Sequence, residues 1–119
     1  MTTKEIADSL VSFCRKGDFE AAQKELFSED AVSIEPMASP AFEKETKGLP
    51  AIIEKGHKFD SMVEKLNSIE VSDAVVANQS FCVSMRLDAV MKDMGPMDMT
   101  ELCIYKVKDG KIISEEFVV

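Results

Sequence analysis

His57 and Asp60 stand three residues apart, a spacing that on a helix brings an imidazole and a carboxylate together as a candidate acid/base unit. A second candidate pair is Tyr105 and Glu101. Between residues 97 and 108 they share parity with Met99, Cys103 and Val107, so in a strand all five side chains point to one side. If that side lines a pocket, Tyr105 and Glu101 are the polar groups able to orient a ligand. The alternative is that Tyr105 packs within the sheet with its hydroxyl satisfied at the edge. Cys14, Cys82 and Cys103 are odd in number and form no CxxC motif. Each sits in an apolar pattern, which points to inert, buried or half-buried thiols in a reducing, cytoplasmic setting. A single histidine with scattered carboxylates gives no ligand cluster, so neither a metal nor another cofactor is expected.

The elements that must position these groups are legible from periodicity. Ile6, Leu10, Phe13 and Cys14 form one apolar stripe on a first helix, capped by Thr2 or Thr3 and ended at Gly17. Asp18 is the expected cap of a shorter helix carrying Phe19, Ala22 and Leu26. Ser28, Glu29 and Asp30 break the pattern, and 31–35 reads as a short strand stopped by Pro36. Residues 36–47 hold two prolines and no clear period, and a connection of that length in a small domain is mobile or functional. A third helix opens at Gly48-Leu49-Pro50, with apolar positions Leu49, Ile52, Ile53, Gly56, Phe59, Met62, Val63 and Leu66.

The period then falls to two. One strand is expected near 69–77, with a turn at Asn78-Gln79. The next carries Phe81, Val83, Met85, Leu87, Ala89 and Met91 on one face. A turn at 93–96 leads into the return strand 97–108. Asp109-Gly110 signals a hairpin, and a terminal strand covers 112–119. Helices first and a meander afterwards define an α+β class: three helices from the N-terminal half packed on a strongly curved antiparallel sheet. At 119 residues the chain reads as a single domain, 1–119.

Composition narrows the functions. Fourteen Lys and Arg against 22 Asp and Glu give a net charge of −8, a field that repels phosphate backbones and anionic lipid. Nucleic acid and membrane are therefore poor partners. No apolar run approaches the roughly 20 residues of a membrane span, and no signal peptide is visible after Met1. With 45% hydrophobic residues the chain is a folding rather than a disordered one.

Three stretches together carry a family resemblance. They are Gly17-Asp18-Phe19 followed by 26–32 (LFSEDAV), then Gly48-Leu49-Pro50-Ala51-Ile52, then Lys108-Asp109-Gly110-Lys111-Ile112 before a last strand. In order and spacing the chain resembles the SnoaL-like branch of the nuclear-transport-factor-2-like superfamily, which also contains ketosteroid isomerase. The resemblance implies a cone-shaped α+β barrel with an internal apolar cavity, and a homodimer formed through the outer face of the sheet. It implies no single activity, because this fold hosts isomerases, cyclases, dehydratases and binding domains.

The resemblance also puts Glu35, just before Pro36, at the place of the isomerase's proton-moving carboxylate. A carboxylate in an apolar cavity has its charged form disfavoured and becomes a stronger base. Alternation argues otherwise: Val32 and Ile34 share a face, so Glu35 should point away from it unless a one-residue bulge precedes Pro36. The place of the isomerase's tyrosine donor falls on Leu10, which has none, and that of its protonated acid near Leu102 or Cys103, with Glu101 a register slip away. His57 lies roughly 140° from the centre of the third helix's apolar arc at about 100° per residue, so it is expected at the rim or in solvent.

Eight methionines, five of them between residues 85 and 99, suit an adaptable pocket or a Met-filled core. The reading is a domain that binds a small apolar molecule in an internal cavity lined by Leu10, Met37, Phe42, Ile53, Met85, Met99, Glu101 and Cys103. The alternatives are a proton-transfer enzyme (isomerase, cyclase or dehydratase) with Glu35 as base and Tyr105 or His57 assisting, and a non-catalytic dimeric module.

Overall fold

The structure, a computed structural model, describes residues 1–119. Helix α1 (Thr3–Arg15) starts in a capping box: Thr2 accepts from the Glu5 amide, and the Glu5 carboxylate accepts from the Thr2 amide. It buries Ile6, Ala7, Leu10, Val11 and Cys14 as one stripe. It ends where Gly17, at φ +76°, lets the Asp18 amide reach the Phe13 carbonyl and its own amide reach that of Cys14. Helix α2 (Phe19–Leu26) follows, with Asp18 in the cap position but with no capping bond from its side chain.

Strand β1 (Phe27–Ile34) begins at once, four residues before the expected start at Ala31. A bulge between Phe27 and Val32 absorbs the polar run Ser28-Glu29-Asp30 that reads as a break. The long connection ends in a short strand, β2 (Glu45–Lys47), antiparallel to β1 and not foreseen from the sequence. Helix α3 (Leu49–Met62) stops before Val63, so Val63 and Leu66 belong to the following strand rather than to the helix.

The rest is a meander: β3 (Val63–Val71), β4 (Val75–Val76), β5 (Ser80–Met91), β6 (Gly95–Lys108) and β7 (Lys111–Val118). The stretch expected as one strand over 69–77 is thus split between β3 and β4. The sheet runs β2-β1-β7-β6-β5-β3, with β4 also on β5. Every pair is antiparallel except β1 with β7, so the sheet is mixed rather than wholly antiparallel. It does not close. Three helices pack on one face, and the result is the expected α+β, cone-like arrangement.

The core lies between that inner face and the helices. Ile6, Leu10, Leu26, Ile52, Val83, Cys103 and Ile112 are its largest fully buried side chains. Fully buried with them is one hydroxyl, Ser33. No helix is long and apolar enough to cross a membrane.

Candidate functional site

Cross-strand register sets a row of side chains across the inner face. Ser33 on β1 stands opposite Glu115 on β7, Glu115 opposite Tyr105 on β6, and Tyr105 opposite Phe81 on β5. Two residues further along come Phe117, Cys103 and Val83, and beyond them Glu101, Met85 and Val71. Polar groups therefore sit on an otherwise apolar surface. Glu35, which follows Ser33 by two residues, belongs to this inward set. The face that alternation assigns to Val32 and Ile34 is the less buried one, because Ala31 and Ser33 are the side chains packed inside. Glu35 thus turns inward with no bulge between Val32 and Pro36, contrary to the expectation.

One cation meets this cluster. Lys55 of α3 donates to Ser33 Oγ at 2.7 Å and pairs with Glu35 Oε2 at 3.2 Å, while its ammonium stands 5.6 Å from the centre of the Phe117 ring. Ser33 passes its own proton on, donating to Glu115 Oε2 at 2.8 Å. Lys55, Ser33 and Glu115 form a chain in which every bond is short and directed. Of the fourteen Lys and Arg residues, Lys55 is the one that is not exposed.

Carboxyls crowded around a single ammonium disfavour one another's ionisation. Burial, then the charges of Glu35 and Glu115, push Glu101 up to about 7, against a smaller opposing pull from Lys55. Burial likewise pushes Glu115 up to about 6, resisted by the Ser33 hydrogen bond and by Lys55. Near neutrality the Glu101 carboxyl is therefore present in both forms. Burial also raises the Cys103 thiol and the Tyr105 hydroxyl, so neither is an anion here.

The other sequence candidates are scattered. Tyr105 is 2% exposed, its ring stacked on Phe81 at 4.9 Å and edge-on to Phe27 at 6.5 Å. It lies beside the cluster but inside the core. His57 sits on the outer side of α3, where Glu20 of α2 accepts its ring N–H and raises its pKa; the Glu35 cluster is not its neighbour. Leu10 and Cys103 are core residues, and Met85 is a partly buried side chain packed against the core. Ile53 and Met99 are half-buried, whereas Met37 is 71% exposed on the long connection.

The two best-defined clefts open on the surface, and neither is the apolar internal chamber that the sequence suggests. One, of about 560 Å³, lies between the 41–46 segment and α3; Phe42 and Lys55 line it, together with Glu54, His57 and Lys58. The other, of about 590 Å³, runs along α1 beside Asp73 and Ala74. Of the expected cavity residues only Phe42 lines either one. Lys55 is the one residue common to the first cleft and to the carboxyl cluster.

Sequence reasoning missed Ser33, Lys55 and Glu115. The signal for Lys55 was present: it falls three residues after Ile52 and four before Phe59, a charge on the apolar stripe of α3. Glu115, between Ile113 and Phe117 in alternation, is a carboxylate on an apolar face.

A mixed open sheet with helices across one face is the fold of solved structures described as nuclear-transport-factor-2-like and ketosteroid-isomerase-like. The chain matches the SnoaL-like domain family over residues 1–119 and belongs to it. Among solved structures it is similar to a Mesorhizobium loti protein provisionally described as a SnoaL-like polyketide cyclase, at 28% identity, TM-score 0.93 and full coverage of both chains. A Xanthomonas campestris protein of unknown function with a cystatin-like fold aligns at 16% identity and TM-score 0.83, covering 99% of this chain and 90% of that one. A Catenulispora acidiphila protein with a ketosteroid-isomerase-like fold, solved with trimethylamine, aligns at 18% identity and TM-score 0.70, covering 99% and 87%. No functionally curated protein matches the chain.

Proposed function

We propose that the protein is a proton-transfer enzyme, of the isomerase or cyclase type, acting on a small, largely apolar carbonyl compound held against the inner face. The observation that carries this reading is Glu101. Its carboxyl is half-buried, lifted to about 7, and set beside a second inward carboxyl, Glu35, that has a cation for a partner. One group can hold a proton and the other accept one at the same pH, which is what moving a proton between two positions of a substrate requires. The similar Mesorhizobium loti protein, provisionally described as a polyketide cyclase, is consistent with that chemistry.

In this scheme the Glu35 carboxylate takes a proton from the carbon next to the carbonyl. The C–H electron pair moves into the carbon–carbon bond, and the carbonyl π pair moves onto oxygen. Glu101 returns a proton at a second position and is left as carboxylate. Exchange with water resets both groups. Leu87, Met85 and Met99 supply the adaptable apolar wall.

Deuterium uptake by a panel of enolisable ketones in D₂O, followed by NMR, tests this. The wild-type protein accelerates uptake for at least one member, and Glu35→Gln and Glu101→Gln each lower that rate by about 100-fold or more. No acceleration across the panel contradicts the reading. Binding of a panel member without exchange supports instead a carrier of apolar molecules, a reading favoured by the absence of any donor at Leu10.

The assembly we propose is a homodimer through the outer sheet face. Leu102 and Val118, paired across β6 and β7, are 47% and 38% exposed there. The three free thiols fit a reducing, cytoplasmic compartment.

A further inference from the structure

We propose that the Lys55 ammonium is the group that receives the substrate's developing oxyanion, so that the site selects carbon acids whose conjugate base carries its charge on oxygen. The inference rests on the proton-transfer reading for its chemistry and on separate geometry for its residue. An ammonium has three N–H donors. Two are committed, to Ser33 Oγ and Glu35 Oε2, and the third has no protein acceptor. Lys55 also lines the cleft between the 41–46 segment and α3, and its side chain keeps 17% of its surface exposed.

Charge points the same way. Deprotonation by Glu35 moves its negative charge onto the substrate oxygen, still beside the Glu101 and Glu115 carboxyls, where it is repelled by whichever of them is ionised unless a cation adjoins it. Lys55 is the cation within reach of those groups, since every other Lys and Arg is exposed. The Ser33–Glu115 chain fixes its position from behind, and the Phe117 ring face, at 5.6 Å, shields it from water on another side. A donor held in place before the charge forms acts without reorganising, which is where such stabilisation is strongest. The electron count is that of enolate formation: the proton goes to Glu35, the electron pair to the carbonyl oxygen, and the oxygen to the free N–H of Lys55.

The test needs no turnover, so it separates this inference from the enzymatic reading. 4-Nitrophenol is titrated against the protein, and the absorbance of its phenolate reports the form that binds. The wild-type protein favours phenolate by about tenfold, so the bound probe ionises about one pH unit below the free one. Lys55→Met and Lys55→Gln abolish the preference, Lys55→Arg retains it, and Lys65→Met, on the exposed edge of β3, leaves it unchanged. Lys55→Gln keeps a donor toward Ser33, so it reads the charge even where Lys55→Met folds poorly. Preferential binding of the neutral phenol, no binding by the wild-type protein, or an equal preference in Lys55→Gln overturns the proposal. Ketone deuteration that persists in Lys55→Gln together with an unchanged probe preference leaves proton transfer standing and removes Lys55 from it.

Discussion

A carboxyl set against two others, with a single ammonium to share, lowers its free energy by keeping its proton, and Glu101 is the residue placed to do so. The linkage has a definite sign. Because burial raises its folded pKa above the ordinary carboxylate range, Glu101 adds stability fully at acid pH, and that contribution is lost as pH rises towards about 7. Glu101→Gln removes the dependence. The melting temperature of the variant minus that of the wild type should therefore increase from pH 5 to about pH 7 and level off above it, and a flat difference throughout contradicts the assignment. Catalysis carries the complementary signature. Deuterium exchange should fall above about pH 7 as Glu101 loses the proton that it must donate, and the Glu101→Gln background should lack that limb. Tyr105 is assigned to packing by its rings and burial. Tyr105→Phe should change exchange by less than about threefold, whereas a loss of about 100-fold would make its hydroxyl a proton donor.

At the level of elements, the ends of α1 are where short-range chemistry decides structure. Thr2→Ala removes one half of the capping box and should cost about 1 kcal/mol in urea unfolding. Gly17→Ala forces a side chain to φ +76° with Ile69 Cδ1 3.6 Å away and should cost a similar amount, about 1 kcal/mol. Such signals are local, and the sequence alone supports the capped helix, the Asp109-Gly110 hairpin and the long alternation of β5. It failed where tertiary pairing overrode the period. Val63 and Leu66 fall four and seven residues after Phe59 and look helical, yet β3 carries two bulges that shift its register against β5, and a bulged strand has no strict period of two. The same limit hid the site. Lys55 on the apolar stripe of α3 and Glu115 on the apolar face of β7 each look like isolated irregularities. Only the parallel pairing of β1 with β7, between segments about 80 residues apart, brings Ser33 to Glu115 and both to Lys55. Glu101, Glu35 and Tyr105 were legible as polar groups, but not which of them would hold a proton.

For the molecule as a whole, the sheet has two surfaces with different tasks. The inner one is covered by helices and carries the carboxyl cluster; the outer one shows Leu102 beside Val118, and Val75 on the neighbouring strand pair. If that outer surface is the dimer contact, sedimentation should give twice the 13.2 kDa chain mass for the wild type and a monomer for Leu102→Glu. A wild-type monomer at all concentrations removes the dimer from the account without touching the site. Proton transfer at this site depends on an inward carboxyl that still carries a proton at neutral pH. The most direct measurement is a ¹³C-NMR titration of the glutamate side-chain carboxyls, with Glu101→Gln to assign the resonance. One glutamate is expected to titrate at about 7, moving to lower pH in Glu35→Gln as a neighbouring charge is lost. A spectrum in which Glu101 titrates with the exposed glutamates, at ordinary carboxylate pH, contradicts it.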